Sequence, residues 1–389
     1  MIPYGRQQIS DDDVEAVVAV LRSDWLTQGP AIERFEQSVA RHCGAQYAVA
    51  VSNATAALHI ACLAAGLGPD DALWTSPNTF VASANCALYC GARPGFVDID
   101  PLTLNMDAAA LAQRLADAAR DGVLPKVIVP VHFAGQSCDM QAIGALARQY
   151  GIKVIEDAAH AIGARYQGAP VGSCQFSDMT VFSFHPVKIV TSGEGGMVLT
   201  NDRALYEQLL LLRSHGVTRN PDAMQGAPDG PWYYEQVTLG FNYRMNDLQA
   251  ALGASQMGRL GQFVERRQVL ARRYDDLLAG LPLVLPTTIP DASSATHLYV
   301  VRLKLDAIAA THREVFDGLR ARGIGVNLHY IPVHTQPYYR ALGFAPGAFP
   351  HAEQYYREAI SLPMFVGLSE EAQDQVVAAL REVLKETVR

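Results

Sequence analysis

Hydrophobic and polar residues follow two periods along this chain. Near the start, Val14, Val17, Val18 and Leu21 recur at helical spacing behind Ser10, a residue suited to cap the helix. SDWLTQGP, Ser23 to Pro30, then reads as a turn-rich loop. YAVAV, from Tyr47, is a short apolar run of the kind that forms a buried strand. It leads into SNATAALHIACLAAGLG, whose Ala/Leu-rich part predicts a helix that stops at Gly66 or Gly68. Lys126 to Val131 is a second apolar strand. Ile143, Leu146, Ala147 and Tyr150 then mark a helix closed by Gly151, and KVIED, ending at Asp157, is a strand again. Strand, helix, strand in that order predicts a buried, largely parallel sheet. Met179 to Phe184 and Met197 to Thr200 add further strands.

The character changes after about Leu248. A long arginine-bearing helical pattern runs to Leu281, and its basic face from Arg259 to Arg273 reads as solvated or interdomain, because Glu265, Asp275 and Asp276 interleave. HLYVVRLKL predicts a strand, THREVFDGLRARG a helix and IGVNLHY a strand. SEEAQDQVVAALREVL closes the chain as a helix with Val376, Val377, Leu380, Val383 and Leu384 inward. The expected division is a large α/β domain over residues 1–250 and a smaller α+β domain over 251–389.

Composition narrows the function classes. The 389 residues are 49% hydrophobic and 18% charged, with a formal net charge of -8 and no basic run. That balance gives no electrostatic reason to expect nucleic acid or an anionic membrane as partner. Apolar stretches are broken well before the roughly 20 residues of a membrane span. MIPYGRQQISDDD lacks the apolar core of an export signal. The six cysteines form neither CxxC nor a zinc pattern, which points to structural thiols in a reduced, cytoplasmic setting.

The candidate chemistry centres on FSFHPVKIVTSGEGG, Phe182 to Gly196. Only five lysines occur in the chain, and Lys188 sits in an apolar turn next to His185. A desolvated lysine has a lowered pKa, and its neutral amine can attack a carbonyl, which arginine cannot do. Asp157 ends an apolar strand, where ligands of open α/β sheets bind. A carboxylate there can pair with a protonated ring nitrogen, as pyridoxal 5'-phosphate (PLP) requires. Ser52-Asn53-Ala54-Thr55 opens a helix with small residues that let backbone N–H groups approach a phosphate. Ser183 is near enough to Lys188 to reach the same phosphate, and Phe80 could stack on a flat ring. Each residue alone also has a plainer reading: a snorkelling lysine, a capping aspartate, an ordinary helix cap, a core phenylalanine. GEGG reads as a turn, not a dinucleotide loop.

Taken together these blocks resemble the DegT/DnrJ/EryC1/StrS nucleotide-sugar aminotransferases, which are fold-type I PLP enzymes. The resemblance extends over nearly the whole chain: WLTQGP, SNATAALHIA, FVDID, VPVHFAG, IEDAAHAIGA, FSFHPVK, GEGGMVLTND, GFNYRMNDLQAALG and LHYIPVHTQPYYR. It implies an aspartate aminotransferase-like fold with a mostly parallel seven-stranded sheet. It implies that Lys188 forms the Schiff base with PLP and shuttles protons. Asp157 would pair with the pyridine nitrogen, Phe80 stack on the ring, and His160 lie near the 3-hydroxyl. Ala54, Thr55 and Ser183 would hold the phosphate, joined by Asn242 from the neighbouring subunit of a homodimer. His185, Trp25, Thr27, His329 and Tyr330 would line the sugar side. Arg213, Arg219 and Arg244 are candidates for the glutamate carboxylate.

Within the family, FSFHPVK, RSHG and HYIPVHTQPYYR are most similar to the UDP-sugar aminotransferases of pseudaminic acid biosynthesis. This implies transfer of an amino group from L-glutamate to C4 of a UDP-4-keto-6-deoxy-N-acetylhexosamine. Aminotransferases for UDP-4-keto-arabinose share part of the pattern but carry a HAIK-type loop. PLP-dependent sugar dehydratases of the family carry histidine where Lys188 stands, and a non-catalytic regulator would be expected to lack Lys188 or Asp157.

Overall fold

The computed structural model describes residues 1–385. A seven-stranded sheet is built from Tyr47–Val51, Ala72–Thr75, Arg93–Phe96, Val127–Val129, Lys153–Asp157, Met179–Ser183 and Gly196–Thr200. Across the sheet, Tyr47–Val51 is followed by Gly196–Thr200, Met179–Ser183, Lys153–Asp157, Val127–Val129, Ala72–Thr75 and Arg93–Phe96. The four pairings toward the Arg93–Phe96 edge are parallel. The two that involve Gly196–Thr200 are antiparallel. Alternate residues of these strands feed opposite cores. Val49, Val51, Ile155 and Val181 pack on one face, while Ala48, Ala50, Phe182 and Leu199 pack on the other. A sheet buried on both faces explains why its strands read as continuous apolar runs.

Helices end where the sequence places their signals. Ala54–Ala64 ends just before Gly66, and Met140–Tyr150 is closed by Gly151 in the left-handed region, at φ 68°. Ser10 caps Asp11–Leu21 in a reciprocal capping box with Asp13. The inward face of that helix differs from the expected one. Val14 and Leu21 are exposed, and Asp13 is buried instead. Its carboxyl oxygens accept from Ser255 Oγ at 2.6 Å and Gln256 Nε2 at 2.7 Å, and Arg259 also reaches it.

The second half departs from the sequence reading in three places. The long helical pattern breaks into Asp247–Met257 and Leu260–Leu278, so position 250 falls inside a helix that packs on Asp11–Leu21 and Pro30–Cys43. The arginine face is not uniformly solvated, because Arg267 is only 2% exposed. IGVNLHY forms no strand. Ile324 and Asn327 make isolated bridges to Ile2 and Ser361, so the segment is tied at two points and not along a ladder. The second half has its own three-stranded sheet, Leu283–Val284, Tyr299–Leu303 and Ala359–Leu362. The helix Glu370–Lys385 packs its predicted face, Val376, Val377, Leu380, Val383 and Leu384, into the same core. All six cysteines are buried and free. Among the described residues no helix is long and apolar enough to cross a membrane.

Two carboxylates fasten distant parts of the chain. Asp98 accepts from His351 N and Ala352 N, both at 3.0 Å, and so ties the end of Arg93–Phe96 to the helix Pro350–Glu358. Asp247 accepts from Gly29 N at 2.8 Å and Ala31 N at 3.0 Å, which fixes the WLTQGP loop and the start of Pro30–Cys43. A Cβ at Gly29 would lie 2.5 Å from that of Trp25, so the loop closes only with glycine there. Asp247→Ala leaves two N–H groups without their acceptor and should lower unfolding free energy by about 1–3 kcal/mol in urea melts. A change below about 0.5 kcal/mol would show that water replaces the carboxylate.

Candidate active site

The carboxyl ends of the parallel strands open onto a cavity of 1030 Å³. It is lined by Ala54, Thr55, Phe80, Asp157, His160, Ser183, His185, Lys188, His329 and Tyr330, so ten of the sequence-designated residues meet there. Trp25, Thr27 and Asn242 do not line this chain's cavity. Trp25, Thr27 and Asn242 are exposed, Thr27 bridging Asn246 and Asn242 bridging Ser214.

Asp157 and Ser183 arrive together through register. Asp157 lies opposite Val181 on the neighbouring parallel strand, which runs on to Ser183. The carboxyl group of Asp157 accepts from Ser83 Oγ at 2.6 Å and Ala159 N at 3.1 Å. Beyond Ser183 the chain turns through His185 and Pro186, and Lys188 N donates to His185 O at 2.9 Å. The turn puts the lysine on the cavity wall. Burial lowers its amine from the ordinary 10.5 to about 8, and the charge of Asp157 works against that shift.

The start of Ala54–Ala64 has the chemistry of an anion cradle. Asn53 caps Ala56 N at 2.8 Å and its carbonyl takes Ala57 N. The N–H groups of Ala54 and Thr55 donate to no protein acceptor among the described residues. They sit at the positive end of the helix, on the cavity wall. Gly196 on the adjacent strand makes room for this turn. A Cβ there would come within 2.4 Å of Asn53 O and 2.7 Å of Ala54 N.

Histidines line the same cavity. His160 Nδ1 accepts from Ala134 N at 3.3 Å, so its proton sits on Nε2 and is donated to Tyr330 Oη at 3.0 Å. That leaves the tyrosine hydroxyl hydrogen free to point elsewhere. Burial, followed by the nearby Lys188 and His329 charges, pushes His160 well below its ordinary pKa. His329 accepts from Asn327 Nδ2 and donates Nδ1–H to Ser361 Oγ at 2.8 Å. Burial and Lys188 lower it to about 4. Both rings are therefore neutral at pH 7. Phe80 stays exposed at the mouth, 6.2 Å from the Tyr330 ring.

Sequence reading missed Ser83, Tyr4, His59, Glu194 and His297, all on the cavity wall. Ser83 had a signal, since it lies three residues after Phe80 in the same loop-to-helix junction. Tyr4 and His297 had none, because they come from remote segments that no local pattern links to the lysine. The three arginine candidates do not line the cavity. Arg213 is engaged by Glu36 at 2.6 Å and Ala50 O at 2.8 Å. Lys188 is the only lysine or arginine among the described lining residues, and the described residues contain no group of three or more acidic, His or Cys residues able to hold a metal.

Comparison with known proteins identifies the family. Residues 7–381 match the DegT/DnrJ/EryC1/StrS aminotransferase family. The chain is 39% identical over 387 residues to the spore coat polysaccharide biosynthesis protein SpsC of Bacillus subtilis, covering 99% of this chain and 97% of SpsC. Spr1654 of Streptococcus pneumoniae, solved in PMP and PLP forms, superposes with TM-scores of 0.90 and 0.88 at 29% and 28% identity. The alignments cover 99% of this chain and 100% and 99% of those structures. PseC of Helicobacter pylori, an aminotransferase involved in the biosynthesis of pseudoaminic acid, gives a TM-score of 0.89 at 29% identity, with 99% of each chain covered. The seven-stranded sheet is that of the fold-type I aminotransferases, and the chain belongs to the PLP-dependent DegT/DnrJ/EryC1/StrS aminotransferase family.

Proposed function

We propose that this protein moves an amino group from L-glutamate to C4 of a UDP-4-keto-6-deoxy-N-acetylhexosamine, UDP-2-acetamido-2,6-dideoxy-β-L-arabino-hex-4-ulose, in pseudaminic acid biosynthesis. The observation that carries the aminotransferase reading is an amine held near pKa 8 on the cavity wall, in the field of a strand-end aspartate. A sugar acceptor is supported by the likeness to PseC and to SpsC, whose names place them in sugar pathways. The FSFHPVK loop supports the pseudaminic substrate. The higher identity to SpsC supports a second reading, another nucleotide 4-keto sugar of a polysaccharide route.

The residues present fit PLP. The two free N–H groups of Ala54 and Thr55, with Ser183 and Thr55 hydroxyls, would hold the phosphate; Asp157 would face the ring nitrogen and Phe80 a ring face. His160 would lie beside the ring hydroxyl. When bound, PLP supplies the electron sink that lets the α-proton of glutamate leave. Lys188 would hold the cofactor through its amine. That amine would also take the α-proton of glutamate and in the second half would return a proton at C4. His185, His329 and Tyr330 would bound the sugar side. Asn242, Trp25 and Thr27 would act on the cavity of a second copy. Val14, Leu21, Trp25, Leu26, Trp232 and Leu239 are exposed and would be available to such a homodimer.

Four tests follow from this assignment. Loaded with PLP, the protein should lose its visible band on adding L-glutamate and regain it with the matching UDP-4-keto sugar, the product mass gaining an amino group. Restoration by another keto sugar alone would replace the substrate, and no response to glutamate would reject the aminotransferase reading. Lys188→Ala should lower both half-reactions by at least about 10²-fold, the range of general acid–base catalysis. The rate of PLP attachment to the apoprotein should rise about tenfold per pH unit up to about pH 8 and level off above it, as the neutral amine accumulates. A rate that still rises tenfold per pH unit through pH 9 would contradict a depressed lysine. Gly196→Ala pushes a methyl against the cradle and should weaken PLP binding about tenfold or more by titration of the apoprotein. Unchanged affinity would count against phosphate binding at Ala54 and Thr55.

A further inference from the structure

His297 lines the cavity yet is only 4% exposed. Its Nδ1 is sealed in protein and meets no hydrogen-bond partner. No protein group bonds Nε2 either, and that nitrogen is the one left on the cavity side. Buried polar atoms without partners are few in native proteins, and each calls for a reason.

The chain around this ring is held firmly. His297 N donates to Ala134 O at 2.9 Å, and Ala295 N donates to Gly135 O at 3.0 Å. A Cβ at Gly135 would come within 2.9 Å of the backbone nitrogens of Thr296 and His297, so the turn before the cavity fits closely against this segment. Behind it lies Arg267, buried and with no carboxylate in ion-pair range among the described residues. Its Nη1 reaches the carbonyl oxygens of Thr296 at 3.4 Å, His297 at 3.2 Å and Met364 at 3.1 Å. The His297 ring packs 4.4 Å from that of His160, which is itself fixed by Ala134 and Tyr330. Burial, with the charges of Lys188 and Arg267, keeps the ring neutral. A neutral imidazole carries one N–H. An orphaned buried N–H is rarer than a bare acceptor, which puts the proton on Nε2, toward the cavity.

We propose that His297 contacts substrate directly, donating Nε2–H to an acceptor oxygen: the carboxylate of the amino donor or an oxygen of the keto sugar. The assignment rests on the aminotransferase reading above. It gives this cavity, whose described lining has no arginine, a fixed neutral donor beside His160.

The test uses PLP-loaded and PMP-loaded protein and follows each half-reaction alone by absorbance. His297→Phe removes the donor; His297→Gln keeps an N–H near the position of Nε2. Bound cofactor per chain and the pH midpoint of Lys188 are measured in each. The expected result is that His297→Phe keeps its cofactor and midpoint but slows one half-reaction about 10–100-fold, with partial recovery in His297→Gln. The half that slows identifies the oxygen: glutamate in one case, keto sugar in the other. Both halves within about twofold of wild type in His297→Phe would overturn the proposal. So would equal loss in both variants together with lost cofactor, which marks a packing role. A wild type inert to glutamate would remove the aminotransferase reading and this one with it, whereas a reactive wild type with an indifferent His297→Phe removes only this one.

Discussion

The site depends on one electrostatic balance. A lysine amine becomes a nucleophile near neutral pH only if burial outweighs the carboxylates around it. Asp157 is close enough for its charge to oppose the effect of burial on Lys188. The two form no ion pair within 4.0 Å, and the aspartate's oxygens are taken by Ser83 and Ala159. A direct pair would return the amine to its ordinary range and occupy the carboxyl group. Held apart, the two line one cavity, and on the function proposed above the lysine would hold PLP there while the aspartate faces its ring nitrogen. The neutral histidines His160 and His329 in the same cavity add no competing charge.

The sheet enforces this separation. Strand alternation in KVIED sends its two acids to opposite faces. Asp157 turns to the cavity. Glu156 turns inward, where Ser177 Oγ at 2.5 Å, Thr180 Oγ1 at 3.1 Å and His132 Nε2 at 2.6 Å surround it. Cys138 N donates to His132 Nδ1, so the ring proton sits on Nε2 and points at the carboxylate. A buried acid is tolerated only when its lone pairs are met in this way. VPVHFAG, read in the sequence only as a strand and a family block, thus secures the strand that presents Asp157.

How much of this was legible follows from the range of the signals. The elements of the first half were readable because buried strands and capped helices write their pattern within ten residues, as Tyr47–Val51 and Met140–Tyr150 do. Asp157, Ser183 and Lys188 were readable because strand ends and an apolar turn are local too. Ser83, Tyr4 and His297 were not, since their place depends on segments far apart in the chain meeting at one cavity. The buried Arg267 defeated composition logic for a related reason. Arginines on a helix with acidic neighbours normally face water, and here three backbone carbonyls from two other segments take the guanidinium instead. IGVNLHY carries the apolar content of a strand, but Ile324 and Asn327 find partners in different segments, Ile2 and Ser361, so no ladder can form.

The N-terminal helix gives the most instructive mismatch. Its valines and Leu21 have helical spacing, which normally marks an inward face. In the single chain, Val14 and Leu21 face out and Asp13 faces in. An amphipathic pattern encodes that a face is covered, not which molecule covers it. The buried Asp13 is fully satisfied by Ser255, Gln256 and Arg259, so the helix orientation is fixed with Val20 inward and cannot bring Val14 and Leu21 in. The same applies to Trp25 and Leu26, held out by the Asp247 clasp on the loop that follows. On the homodimer proposed above, the pattern and the exposure would agree, with a second copy covering the Val14 and Leu21 face that the spacing marks for burial.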